Sequence, residues 1–199
     1  MTKFAFIVPS TTNKRDEWAC AEDGYLWSIL CSSLEKYTPD IGKGRIKLFI
    51  GYDEDDRIYS IDEERLKFSA FFMKFDIEWF SQPICLKGKL STIYIKLLGD
   101  DIRLPSDRGW LGHFANKLRK KNNIGFSAGW SNNDQIPTQF LVHKTHYEIF
   151  GFFYPTEIPN WGCDNWLHDV YPAKYRNWLK SYPLFNVGGE PRYEITFSE

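Results

Sequence analysis

Short apolar runs alternate with helix-period segments through the first half of the chain. Phe4–Val8 is continuously apolar and ends at Pro9-Ser10-Thr11-Thr12, the pattern of a strand buried on both faces followed by its exit loop. Asp23–Tyr37 sets Tyr25, Leu26, Ile29, Leu30, Ser33 and Leu34 on one helical face, with Pro39 and Gly42 as stop signals. Ile46–Tyr52 reads as a second strand. Ile61–Lys74, with Leu66, Phe68, Phe71 and Phe72 near helical spacing, reads as a second helix, and Ile77–Phe80 as a third strand. Strand, helix, strand, helix, strand implies right-handed crossovers and a mostly parallel sheet, so the fold class is α/β. Ligands gather at the carboxyl ends of such strands, which points to the loops after Val8, Tyr52 and Leu98.

The second half is less periodic. Trp110–Lys120 reads as a helix, Asn122–Gly129 as a loop or short strand and Phe140–His143 as a short strand. His146–Phe150 and Trp166–Tyr171 read as short helical pieces. From Pro183 the chain is rich in Gly and Pro and is expected to wrap the surface or add an edge strand. With no linker or repeat, one domain over 1–199 is expected: a first half to about 102, a second half 103–182 and a tail 183–199.

Composition changes this picture mainly through its aromatic content. Aromatic residues make up 18% of the 199, with 8 Trp, 11 Tyr and 16 Phe; most must form the core, but Trp and Tyr also make flat walls for sugars and bases. A net charge of −1 gives no basic footprint for nucleic acid. The dense basic run Lys117–Lys121 sits at a helix end, where cations suit the helix dipole. No apolar run approaches the ~18 residues of a membrane span. Cys20, Cys31, Cys85 and Cys163 are scattered without a CxxC pair, which argues for reduced thiols and a cytoplasmic location.

The strongest candidate chemistry is Leu97-Leu98-Gly99-Asp100-Asp101-Ile102. Adjacent carboxylates between apolar residues are costly to bury unless a positive charge meets them. Mn²⁺ or Mg²⁺ shared with a diphosphate would do so and would stabilise a departing nucleoside diphosphate. A phosphoryl- or nucleotidyl-transferase would favour a glycine-rich phosphate loop after the first strand, and Pro9–Arg15 contains no glycine. Alone, Gly-Asp-Asp is also an ordinary solvated turn.

An ordered set of segments gives it context: FAFIVPSTT (4–12), LFIGYDEDD (48–56), LGDDI (98–102) with Gly109-Trp110, NNIGFSAGWSNND (122–134), TQFLVHKTHYEIFGFFYP (138–155) and NWGCDNW (160–166). Together they resemble glycosyltransferases of the GT-A fold, of the small-domain type found in large algal viruses. The resemblance implies a metal-dependent transferase that moves a hexose-type sugar from a UDP-sugar donor to a glycan or other hydroxyl acceptor, with retention weakly favoured. The short catalytic segment is expected to be an excised domain or one part of a larger multidomain enzyme. A sugar-binding module of the same fold that has lost catalysis is the alternative.

The resemblance also implies residue roles. Pro9, Ser10 and Thr11 would seat the base and ribose, with Asp53 accepting their hydrogen bonds; Asp55 and Asp56 read as a solvated acidic loop. Lys89, Ser91 and Thr92 fall where such enzymes contact the donor. Asp100 and Asp101 match the aspartate motif for metal and diphosphate. Read from the residues alone, His143 and His146, three apart, invite a metal reading, with His146 the weaker candidate third ligand or phosphate contact. Asn133, Asp134, Thr138, Gln139 and Trp161 would line the sugar and acceptor site. Asp164 is the candidate catalytic carboxylate, or else a buried helix N-cap; relatives often carry a second acid where Asn165 stands. One departure stands out. Leu90–Leu98 must serve as both donor-contacting helix and following strand, so two elements are merged or about ten residues are missing there.

Overall fold

The computed structural model describes residues 4–39, 41–81, 93–158 and 162–188. Strands β1 (Phe4–Pro9), β2 (Ile46–Tyr52) and β3 (Asp76–Ser81) are linked by α1 (Ser32–Tyr37) and α2 (Asp62–Phe71), and β4 is Tyr94–Leu97. Immediately before α1, Leu26–Cys31 forms a π-helical turn. There follow β5 (Ile102–Arg103), α3 (Trp110–Arg119), β6 (Phe126–Trp130), β7 (Leu141–His143), α4 (Thr145–Phe150), α5 (Cys163–Val170), β8 (Arg176–Pro183) and β9 (Phe185–Asn186). Periodicity thus located β1, β2, β3 and α2, and placed one helix over the residues that form the π-helical turn and α1; it did not indicate β5. Of the segment Leu90–Leu98, residues 90–92 lie outside the described residues, and Tyr94–Leu97 forms β4.

Seven strands form one sheet in the order β3-β2-β1-β4-β7-β6-β8. The pairs β3–β2, β2–β1, β1–β4 and β6–β8 are parallel, and β7 runs antiparallel to both β4 and β6. The chain leaves β1 toward β2 and β3, then returns to place β4 on the other side of β1. That reversal opens a crevice at the carboxyl ends of β1 and β4, the position where open α/β sheets bind ligands.

Both sheet faces are covered, which is why β1 is apolar without alternation. Phe4, Phe6 and Val8 join one buried cluster with Leu30, Leu48, Phe68 and Phe114, while Ile7 joins a second with Ile95, Phe126, Val142, Leu167 and Tyr171. Complete burial of side chains such as Phe6 and Leu48 stabilises the fold by about 2 kcal/mol each.

Strand β8 did not announce itself in the sequence. It pairs in parallel with β6, with a register shift at Gly129/Trp130. A Cβ on Gly129 would lie 2.1 Å from the Tyr182 carbonyl oxygen, so only glycine admits this close approach. The tail then forms a strand, as one of its two expected fates: β9 pairs antiparallel with β5, and the Val187 N–H donates to the Asp101 carbonyl at 3.0 Å. Residues 183–188 are thereby folded back over the aspartate turn; the rest of the tail lies outside the described residues.

Asp56 departs from its expectation as a solvated loop residue. It is fully buried and accepts from the Thr12 N–H (2.5 Å), the Thr12 hydroxyl (2.8 Å) and the N–H groups of Ile58 (3.0 Å) and Tyr59 (2.7 Å). A buried carboxylate with four donors is a stable arrangement, and it ties the loop after β1 to the loop after β2. Asp55 is exposed, as expected.

Candidate functional site

The crevice between β1 and β4 brings Ser10 and Asp100 together. Ser10 is the first residue after β1, and its backbone N–H donates to Gly51 in β2 (2.8 Å). Its hydroxyl donates to the Asp100 carboxylate at 2.6 Å, across 90 residues of sequence. Both side chains are buried. Asp53 stands nearby on the loop after β2, accepting from the Asn13 side-chain amide at 3.2 Å. Pro9 is exposed at the end of β1 and Thr11 half-buried beyond Ser10. Tyr59 lies in the same region: burial first, and then the charge of Asp100, push its phenol well above the ordinary range. The same two causes raise the buried Cys31 thiol.

The two aspartates are not equivalent. Asp100 is turned inward on Ser10, whereas Asp101 is only partly buried. The Asp101 carboxylate sits between two glycines: a Cβ on Gly99 would be 2.8 Å from its Oδ1, and a Cβ on Gly188 would be 2.4 Å from its Oδ2. Any larger residue at either position would crowd that carboxylate. Among the described residues, no group of three or more His, Cys, Asp or Glu side chains is arranged to hold a metal. Asp100 and Asp101 offer carboxylate oxygens from one turn, donors of the kind that a hard cation takes.

Next to this turn lies a cleft of about 440 Å³. Ile102, Asn133, Thr138, Gln139, Asp164 and Asn165 line it, along with Ser131, Asn132, Ile136, Gly162, Cys163, Leu184 and Asn186. Two residues join the cleft to the aspartate turn. Ile102 directly follows Asp101, and the Gln139 side-chain oxygen accepts the Gly99 N–H at 3.3 Å. Three of the expected sugar-site residues, Asn133, Thr138 and Gln139, therefore share one wall system with Asp164. Asp134 does not line this cleft. It accepts the Trp130 indole N–H at 3.0 Å and braces the loop from Ser131 onward. Lys89, Ser91, Thr92 and Trp161 lie outside the described residues.

Asp164 sits in the first turn of α5, whose N-cap is Gly162 at φ 98. It is therefore not the N-cap itself, and no side-chain cap bond is made there. Its carboxylate accepts the Tyr154 hydroxyl at 3.3 Å. Burial raises its pKa to about 6, against a smaller lowering by the Tyr154 hydrogen bond. A carboxylate that titrates close to neutrality on a cleft wall is suited to receive and return a proton.

His146 is not available to a metal. The Phe153 carbonyl, 3.0 Å from Nε2, can only accept, so Nε2 carries the proton. Nδ1 then accepts from the Tyr171 hydroxyl at 2.7 Å. With both nitrogens used, and burial lowering its pKa, this is a neutral histidine that locks α4 to the residues around it. The expectation of a third metal ligand or phosphate contact is corrected accordingly. His143 likewise caps a local turn, its Nδ1 meeting the Thr145 N–H (3.2 Å) and hydroxyl (2.7 Å). Trp166 packs on Phe150 and Phe152.

Sequence reasoning passed over one residue at this junction. Lys96, on β4, is fully buried and donates to the Gln139 carbonyl. The signal was present: a single lysine within the apolar run Tyr94–Leu98.

No protein-family model and no curated protein sequence matches the chain. Solved structures do. S. aureus TarS residues 1–349 superpose with a TM-score of 0.61 at 13% identity, covering 92% of this chain and 60% of that one. The same TarS piece in complex with UDP gives 0.60 at 12% identity, again over 92% and 60%. A longer TarS structure also gives 0.60 at 12% identity, over 92% of this chain and 36% of that one, so the chain spans 36% to 60% of the TarS structures. A putative glucose-1-phosphate thymidylyltransferase from Bacillus anthracis, in complex with a sucrose, gives 0.51 at 8% identity over 90% and 87%. At such identities the likeness is one of fold: the chain has the Rossmann-like α/β architecture expected of a GT-A protein, a mostly parallel seven-stranded sheet flanked by helices.

Proposed function

We propose that this protein is a metal-dependent glycosyltransferase that moves a hexose from a UDP-sugar to a hydroxyl of a glycan acceptor. The observation that carries the reading is the Ser10–Asp100 hydrogen bond across the topological switch point, beside a cleft that holds Asp164. One TarS structure of this fold is a complex with UDP, which supports a uridine nucleotide as the ligand. The finer kinship with the small transferase domains of algal viruses rests on the ordered motifs. The scattered cysteines favour a reducing, cytoplasmic setting.

In this reading Ser10, Thr11 and Asp53 hold the uridine, and Ser10 also fixes the Asp100 carboxylate. Asp101, with Asp100 behind it, would hold Mn²⁺ or Mg²⁺, which when bound offsets the charge growing on the departing diphosphate. Asn133, Thr138 and Gln139 orient the sugar by hydrogen bonds. Asp164, ionised at neutral pH, stands on the acceptor side. With inversion it takes the proton of the attacking hydroxyl; with retention, which we favour, it stabilises the positive charge at the anomeric carbon while that proton passes to the leaving phosphate oxygen.

A screen of UDP-sugars with Mn²⁺, reading UDP release with a mixture of glycans as acceptors, tests this. At least one donor is expected to release UDP faster with acceptor than without. NMR of the anomeric product then gives the stereochemistry. Asn165, in place of a second acid, favours the other reading, a non-catalytic nucleotide-sugar binding module. Tight binding of a donor with no UDP release from any would establish that one.

A further inference from the structure

Gln139 is held at three points. Its backbone sits at φ 54, a left-handed conformation that a non-glycine residue rarely adopts without support. Its carbonyl accepts from Lys96 Nζ, and its side-chain oxygen accepts from the Gly99 N–H at 3.3 Å. The last bond fixes the sense of the amide. A backbone N–H can meet only the oxygen, so the side-chain NH₂ group occupies the other position. That group has no protein acceptor among the described residues, and Gln139 lines the cleft.

Lys96 is an expensive way to hold one carbonyl. It is enclosed between β4 and α3, with its ammonium 5.9 Å from the Trp110 ring centroid and 5.6 Å from that of Phe114. Burial lowers its pKa to about 7, although ammonium and amine can both donate to a carbonyl. An apolar residue of similar length would pack there at lower cost in desolvation. Lysine at this position therefore indicates a demand other than stability.

We propose that Lys96 is a positioning residue: by holding the Gln139 carbonyl, it presents the Gln139 side-chain N–H bonds to the hexose of the bound donor, beside the aspartate turn. The ligand groups served are hydroxyl oxygens of the sugar, which UDP alone lacks. The device therefore sets affinity for the sugar and leaves affinity for the nucleotide unchanged. This inference rests on the proposed UDP-sugar site.

The test is calorimetry in Mn²⁺ with UDP, UDP-glucose, UDP-galactose and UDP-N-acetylglucosamine. Gln139→Ala is expected to weaken the preferred UDP-sugar about tenfold, the worth of one to two hydrogen bonds, and UDP by less than about twofold. Lys96→Met is expected to show the same selective loss without a lower melting temperature. Combined with Gln139→Ala, it is expected to add no further loss, because its effect runs through that side chain. Lys96→Arg, which keeps a donor, is expected to retain most of the sugar contribution and covers the case in which Lys96→Met does not fold. Equal weakening of UDP and UDP-sugar, additive losses in the double variant, or a folded Lys96→Arg with no sugar contribution would each overturn the proposal. If the wild type binds neither UDP nor any UDP-sugar, the functional reading itself fails; if it binds them and Gln139→Ala changes nothing, only this inference fails.

Discussion

Asp101→Ala is expected to lower glycosyl transfer by about 10³-fold or more, the scale on which loss of an electrostatic contact to developing charge is felt. Its melting temperature should stay within about 2 °C of the wild type or rise. The fold uses the Asp101 backbone, whose carbonyl accepts the Val187 N–H, and alanine keeps that bond. The carboxylate is flanked by Gly99 and Gly188 beside buried Asp100, and alanine relieves that crowding. Measuring UDP release and thermal unfolding on the same preparation separates the two effects. Loss of fold together with loss of activity would make the turn a structural element.

Asp164→Asn is expected to lower turnover by about 10²- to 10⁴-fold, the range for loss of a positioned base or of a carboxylate that stabilises developing charge. It should also remove a limb of the pH–rate profile near pH 6, since the wild-type carboxyl titrates at about 6. The same shift has a consequence for stability. Its folded pKa lies above the ordinary value of 3.8, so between about pH 4 and pH 6 the folded state binds more protons than the unfolded state. Stability from this group is present below about pH 4 and is lost as pH rises through 6. At pH 7 and above, Asp164→Asn should thus be more stable than the wild type, by on the order of 1 kcal/mol, and the advantage should vanish toward pH 4. Denaturant titrations at pH 4 and pH 8 would check this. A variant less stable at pH 8 would contradict the burial that underlies the shift.

Local pattern exposed the parts of this molecule that local pattern creates. The apolar runs of β1 and β2 and the periodic face of α3 mark themselves because each is covered by its neighbours in a regular way. Strand β8 was hidden because RNWLKSYP has no strict alternation and ends in proline, both consequences of its edge position beside β6. Asp56 looked like one more acid in an exposed run, since its partner Thr12 lies 44 residues away. His146 illustrates the converse error. The spacing of His143 and His146 invites a metal, but the phenol and carbonyl that satisfy His146 arrive from Tyr171 and Phe153. The aspartate turn was legible from its place after an apolar strand. That Asp100 is buried against Ser10 while Asp101 is only partly buried was not, because Ser10 lies 90 residues away at the end of β1.

The account turns on whether the crevice at Ser10, Asp100 and Asp101 takes a metal together with a nucleoside diphosphate. Calorimetric titration of UDP into the wild-type protein, once in Mn²⁺ and once in EDTA, addresses that directly. The account predicts binding in Mn²⁺ that weakens at least about tenfold in EDTA. Equal affinity in the two buffers, or no binding in either, would contradict it.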